Sequence, residues 1–147
     1  MQILKVKKLR ENAQMIRRAT KGSAGMDLYA CIDNAITLEP GDIKVVPTGL
    51  AIALENENYV AYIYARSGLS IKHGITLANC VGVIDSDYRG ELCVGLTNIS
   101  KAAYTIEPQE RIAQLVIAPV CTCEPVQVEE LDETERGAGG FGSTGKK

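Results

Sequence analysis

A chain of 147 residues with a formal net charge of −2 is one ordinary domain, long enough to bury a core without disulfide or metal staples. Its apolar share is 46%, yet it holds six Tyr, one Phe and no Trp, so the core must be built from Val, Ile, Leu and Ala. Lys and Arg are scattered among Asp and Glu, which excludes the basic stripe of an extended nucleic-acid surface. No apolar run has the length that spans a bilayer, and residues 1–10 lack the apolar stretch of a secretory signal. The sequence therefore reads as cytoplasmic, with no nucleic-acid or membrane partner.

In chain order, the first departure from plain patterning is Gly22-Ser23-Ala24-Gly25-Met26-Asp27-Leu28. Small residues let the backbone turn tightly and deliver Asp27 beside apolar neighbours, either to cap its own turn or to serve a metal site. Turn signals at Glu39-Pro40-Gly41-Asp42, Pro47-Thr48-Gly49 and Glu55-Asn56-Glu57-Asn58 bound predicted strands over 43–46, 50–54 and 59–64. Residues 66–72 give the one short helix, opened by Arg66-Ser67-Gly68. A helix start leaves free N–H groups that suit an anion, and Arg66 adds a planar fork of donors for phosphate oxygens. His73 precedes Gly74 and marks a turn rather than a catalytic base.

Predicted strands over 81–84 and 92–96 flank the acidic turn Asp85-Ser86-Asp87-Tyr88-Arg89-Gly90 and read as a β-hairpin. Alternation puts Leu92, Val94 and Leu96 on one face. Asp85 stands where the apolar strand ends, a place that permits a general base beside a ligand pocket and equally an ordinary turn aspartate. After the turn Glu107-Pro108-Gln109-Glu110, a strand over 112–118 displays Arg111 and Gln114 at its start, and a last strand is predicted over 126–131. Residues 136–147 hold five glycines in twelve positions and cannot bury apolar surface. Gly140 to Lys146 spells G-x-x-x-x-G-K, but Lys147 stands where a phosphate-binding loop needs Ser or Thr, and no helix follows. The one phenylalanine, Phe141, lies in this tail, where an aromatic ring makes sense stacked on a flat partner.

The chain has one histidine, which excludes multi-histidine zinc sites and leaves carboxylates with a hard metal as the tools of any catalysis. Five cysteines, Cys31, Cys80, Cys93, Cys121 and Cys123, are odd in number and lack C-x-x-C spacing. They read as buried small hydrophobes in a reducing compartment, not as a disulfide framework.

Taken in order, five clusters resemble the five motifs of the trimeric dUTPase family: Ala24-Gly25-Met26-Asp27-Leu28, Arg66-Ser67-Gly68, Gly82-Val83-Ile84-Asp85-Ser86-Asp87-Tyr88-Arg89-Gly90, Arg111-Ile112-Ala113-Gln114-Leu115, and Arg136-Gly137-Ala138-Gly139-Gly140-Phe141-Gly142-Ser143-Thr144-Gly145. Each is weak alone; five at compatible spacing are specific. Ala65 departs from the proline usual before Arg-Ser-Gly but removes no functional group.

The resemblance implies an all-β, jelly-roll-like (β-clip) barrel over 1–135 and a mobile tail over 136–147 that closes the active site. It implies a homotrimer with shared sites that hydrolyses the small molecule dUTP to dUMP and pyrophosphate with Mg²⁺, keeping uracil out of DNA and supplying dUMP for thymidylate synthesis. Asp85 would be the general base for the attacking water. Asn79, Val83 and Ile84 would read uracil with Cys93 beside it, and Tyr88 would pack under deoxyribose. Arg66, Ser67, Gly68 and Gln114 would hold phosphates, and Asp27 would reach the metal through water. Arg136, Phe141, Gly142, Ser143 and Thr144 would form the lid. The nearest rival on the same fold, dCTP deaminase, would activate water at the base with a glutamate.

Overall fold

The computed structural model describes residues 3–140. Eleven short strands and one helix follow in order: β1 (Lys5–Lys8), β2 (Met26–Tyr29), β3 (Ile36–Leu38), β4 (Ile43–Pro47), β5 (Leu50–Ala53), β6 (Tyr59–Ala65), α1 (Ser67–His73), β7 (Ile75–Leu77), β8 (Gly82–Ile84), β9 (Cys93–Asn98), β10 (Tyr104–Ile106) and β11 (Arg111–Pro119). They pair antiparallel into sheets ordered β2-β11-β6-β8, β4-β9-β7, β1-β5 and β3-β10. These sheets wrap one aliphatic core without joining into a continuous hydrogen-bonded ring. The fold is thus all-β with a single short helix, of jelly-roll type.

Alternation explains how the strands attach to the core. On β9 and the residue before it, Leu92, Val94 and Leu96 are buried while Cys93 is exposed, so one face of the strand is apolar and the other meets solvent. Leu28, Leu38, Ile63, Ile75, Ile106, Ile112 and Leu115 complete the interior; removing such side chains from water is the main driving force. Asn98, with Thr48 one of two buried polar residues among those described, is fully buried at the end of β9. Its amide donates to the carbonyls of Leu38 (2.9 Å) and Ala102 (2.7 Å), and its oxygen accepts from the Ser100 N–H (2.9 Å) and hydroxyl (2.8 Å). Every hydrogen-bonding position of that side chain is filled, which is what makes its burial tolerable.

Helix α1 stops at Gly74, whose left-handed backbone (φ 69°) turns its N–H onto the carbonyls of Leu69 and Ser70. His73 ends the helix with its ring 4.9 Å from that of Tyr104, a packing role at a turn. Among the described residues no helix is long and apolar enough to cross a membrane.

Three sequence expectations need correction. Residues 126–131 form no strand: Val126, Val128 and Leu131 are 79%, 57% and 87% exposed, and among the described residues no strand pairs with them. The 81–96 segment is not a two-stranded hairpin, since β8 pairs with β6 whereas β9 pairs with β4 and β7; the acidic turn crosses between two sheets. Of the cysteines only Cys31 is buried; Cys80, Cys93, Cys121 and Cys123 are exposed, and all five are free.

Candidate active site

The antiparallel register of β2 and β11 sets Asp27 opposite Gln114. Asp27 is therefore a strand residue, not a turn cap, and its carboxylate, 14% exposed, lies 3.5 Å from Arg66 Nε and 3.2 Å from Arg111 Nη1. Arg66 also donates through Nη1 to the Arg111 carbonyl (2.8 Å). One carboxylate thus orients two guanidinium groups, leaving a net positive cluster. Arg66 is the N-cap of α1, in extended conformation (φ −86°, ψ 128°); no side chain caps the helix, and its first turn carries no acidic residue. The first intrahelical bond runs from the Ser70 N–H to the Arg66 carbonyl (2.9 Å), so the amides of Ser67 and Gly68 precede the ladder.

Gln114 ties this cluster to β6, its amide donating to the Ala65 carbonyl (2.9 Å). The Gln114 side chain lies directly on Gly25: a Cβ there would collide with the amide oxygen and crowd the Gln114 Cβ and Cδ at 3.1 Å. Gly25 is what lets β2 and β11 approach closely enough for Asp27, Arg111, Gln114 and Arg66 to meet.

A second cluster gathers around Asp85. Val83, Ile84, Asp85, Tyr88, Glu91 and Cys93 line a cavity of about 310 Å³. On its far side Asp85 and Val83 also line a wider cavity of about 750 Å³ with Tyr59, Tyr62, Ser86 and Thr122. Asp85 is exposed, and its carbonyl accepts from the Tyr88 N–H (3.2 Å), which closes the turn. The Tyr88 ring lies over Gly90, where a Cβ would come 2.6 Å from its Cζ, and its hydroxyl donates to the Glu91 carbonyl (3.0 Å). Partial burial of the sulfur, then the negative charge of Glu91, raise the Cys93 pKa, so the thiol stays neutral and serves as a small apolar wall. Strand β8 is the outermost of its sheet; one backbone edge pairs with β6 and the other is unused by any strand.

Not every expected residue joins a cluster. Asn79 is exposed in the turn before β8, its carbonyl accepting from the Val81 N–H (2.7 Å), and it is outside the residues lining the cavity beside Cys93. Arg136 donates from Nε to the Gly139 carbonyl (2.8 Å) within its own exposed turn. Phe141, Gly142, Ser143 and Thr144 lie outside the described residues. Sequence reasoning read Gly25 and Gly90 as turn residues and gave Glu91 no role; the close approach of Gln114 to Gly25 and of Tyr88 to Gly90 needs those side chains to be seen.

The two clusters stand at opposite ends of β6. Ala61 pairs with Ile84, so Asp85 lies level with Val60, whereas Arg66 follows the far end of the strand. At the rise of an extended chain those six positions separate Arg66 from Asp85 by about 20 Å.

Residues 11–145 match the family model described as dUTPase. The deoxyuridine 5'-triphosphate nucleotidohydrolase of Bordetella avium is 59% identical over 128 residues, covering 87% of this chain and 86% of that protein. That of Polynucleobacter necessarius is 54% identical over 148 residues, covering 99% of each. Among solved structures, a mutant Staphylococcus bacteriophage 80alpha dUTPase with dUpNHpp superposes with a TM-score of 0.89 at 34% identity, covering 97% of this chain and 98% of its own. A mutant dUTPase from phage phi11 of S. aureus, solved to show the coordination of a structural Mg(II) ion, has a TM-score of 0.80 at 30% identity over 89% of this chain and 99% of its own.

Proposed function

The chain belongs to the dUTPase family, and from that premise and the geometry of its two clusters we propose that it hydrolyses dUTP at the α-phosphorus, yielding dUMP and pyrophosphate, in sites shared between copies of the chain. That activity keeps uracil out of DNA and supplies dUMP for thymidylate synthesis. The observation that carries the shared site is the separation along β6. A general base works within hydrogen-bond reach of its water, about 3 Å, and Arg66 must meet phosphates of the same nucleotide. The backbones of Asp85 and Arg66 stand about 20 Å apart along one strand, and that separation supports a site completed by a second copy. A symmetric trimer, with Asp85 from one copy and Arg66 from the next, brings them together.

At the Asp85 end, the unused edge of β8 offers the backbone of Val83 and Ile84 to the hydrogen-bonding edge of uracil, with Asn79 reaching in and Cys93 beside the ring. Because β9 does not pair with β8, the backbone groups there that point away from β6 are available to a ligand. Tyr88, folded onto Gly90, forms a floor under deoxyribose and leaves no space for a 2′-hydroxyl. Asp85 accepts a proton from the water that attacks phosphorus, a contribution of about 10²–10⁴ in rate. At the other end Arg66, the Ser67 hydroxyl and amide, the Gly68 amide and Gln114 hold phosphate oxygens and offset their charge. Arg136, Phe141, Gly142, Ser143 and Thr144 close over the nucleotide and exclude bulk water.

The donor set fits Mg²⁺ in one way. Among the described residues no group of three His, Cys, Asp or Glu is placed to hold an ion unaided, but Mg²⁺ commonly binds through substrate phosphates and water with one or two carboxylates. Asp27 is the carboxylate beside the phosphate cluster and would hold the ion through water while keeping its arginines. Bound there, Mg²⁺ supplies charge neutralisation to the triphosphate.

Pyrophosphate release measured across dUTP, dTTP, dCTP and UTP, with and without Mg²⁺, tests this reading. Turnover of dUTP alone, dependent on Mg²⁺, is expected. Comparable turnover of dTTP, or ammonia release from dCTP, would refute it.

A further inference from the structure

Glu91 follows the acidic turn, yet it faces inward: its side chain is 22% exposed, and both carboxylate oxygens are engaged. Oε1 accepts from the Gly49 N–H (2.8 Å), and Oε2 pairs with Arg10 (3.1 Å), whose guanidinium also donates to the Cys31 carbonyl (3.3 Å). The next residue is fastened as firmly. The Leu92 N–H donates to Leu50 (2.7 Å), and the Leu92 carbonyl accepts from the N–H (3.1 Å) and hydroxyl (2.7 Å) of Thr48. By contrast, the Tyr88 ring touches the protein through Gly90 and through one hydrogen bond from its hydroxyl to the Glu91 main-chain carbonyl. The exposed aromatic floor of the cavity is therefore linked through the Glu91 carbonyl to a residue gripped from behind by the 48–50 segment.

We propose that Glu91 is a positioning residue for sugar selection: its carboxylate oxygen on the Gly49 amide fixes the carbonyl that holds the Tyr88 hydroxyl, and so fixes the ring against which deoxyribose packs. This rests on the reading of Tyr88 as the sugar floor. The part that matters is an acceptor oxygen at the reach of the Glu91 side chain, not its charge. A ring held in place rejects the extra hydroxyl of a ribonucleotide; a ring free to swing admits it. With both carboxylate oxygens engaged by Gly49 and Arg10, Glu91 acts through Tyr88.

The test measures kcat/KM for dUTP and UTP in the full chain bearing Glu91→Gln, Glu91→Ala or Tyr88→Phe. Glu91→Gln keeps an acceptor for Gly49 and should preserve the dUTP-to-UTP ratio within about threefold. Glu91→Ala and Tyr88→Phe break the link at its two ends, and each should lower the ratio by about tenfold, the scale of one hydrogen bond. Tyr88→Phe removes only an exposed hydroxyl, so it reads the link even where Glu91→Ala folds poorly. A general loss of fold would slow both substrates alike and leave the ratio unchanged, which counts against the proposal, as does a Tyr88→Phe variant as selective as the unsubstituted chain. Should the unsubstituted chain leave dUTP intact, the assignment of activity fails instead; turnover of dUTP with an unchanged ratio in all three variants defeats only the role of Glu91.

Discussion

Two inactive variants of this chain should repair each other. Asp85→Asn removes the proposed base and should lower turnover by about 10²–10⁴. Arg66→Ala removes the fork that lies on Asp27 and the Arg111 carbonyl and leaves phosphate unpartnered. The backbones at the two positions are about 20 Å apart along β6, so the shared-site reading assigns them to different copies. When equal amounts are unfolded together and refolded, a site is intact if its Asp85 comes from the Arg66→Ala chain and its Arg66 from the Asp85→Asn chain. Random assembly into a closed ring meets each condition half the time, so about a quarter of the sites should work. The assay is pyrophosphate release from dUTP, set against the two variants refolded separately and then combined. A co-refolded sample no more active than that control, with mixed assemblies demonstrated by differently tagged chains, would show that each chain carries its own complete site.

Four further outcomes are expected. Gly25→Ala drives a methyl group into Gln114 and should cost about 1–3 kcal/mol; denaturant unfolding should show this loss shrinking when Gln114→Ala is added. Burial first, then the hydrogen bond to Glu110 (2.6 Å) and its charge, push the Tyr104 pKa from 10.0 up to about 12. The protonated form favours the fold, so this stabilisation is complete below pH 10 and lost as pH rises toward 12; Tyr104→Phe should flatten unfolding free energy across that window. Thiol titration of the native chain should find Cys31 unreactive until denaturant is added, because burial both hides it and raises its pKa. Deleting the residues after Glu135 should leave the melting transition in place and remove most dUTP turnover, and a truncated chain with full activity would dispose of the lid.

Signals that act locally were legible before any coordinates. Residues 66–72 were expected to be helical and the helix is Ser67–His73; the period-2 pattern named Leu92, Val94 and Leu96 as one face and all three are buried. The strands that escaped notice, β1, β2, β3, β7 and β10, are three or four residues long. So short a run holds less than two periods of alternation, and its partner decides its state. Residues 126–131 show the converse: the pattern is present, but no strand lies beside it. Cysteine burial was misjudged because it was read from residue type, whereas the same alternation that turns Leu92 and Val94 inward turns Cys93 outward.

The acidic turn shows why the site was only partly readable. In sequence, residues 79–91 look like one hairpin, and a hairpin would satisfy its own backbone. The structure sends the two limbs to different sheets, and that divergence is what leaves the edge of β8 open and swings Tyr88 onto Gly90. Likewise Asp27, Arg66 and Arg111 look like three unrelated polar residues, and only the register of β2 against β11 and β11 against β6 turns them into one cluster. Pairing across sheets is a long-range property that no window of residues contains. Motif order therefore pointed to the family, whereas the placement of the two clusters at opposite ends of one strand follows from register alone.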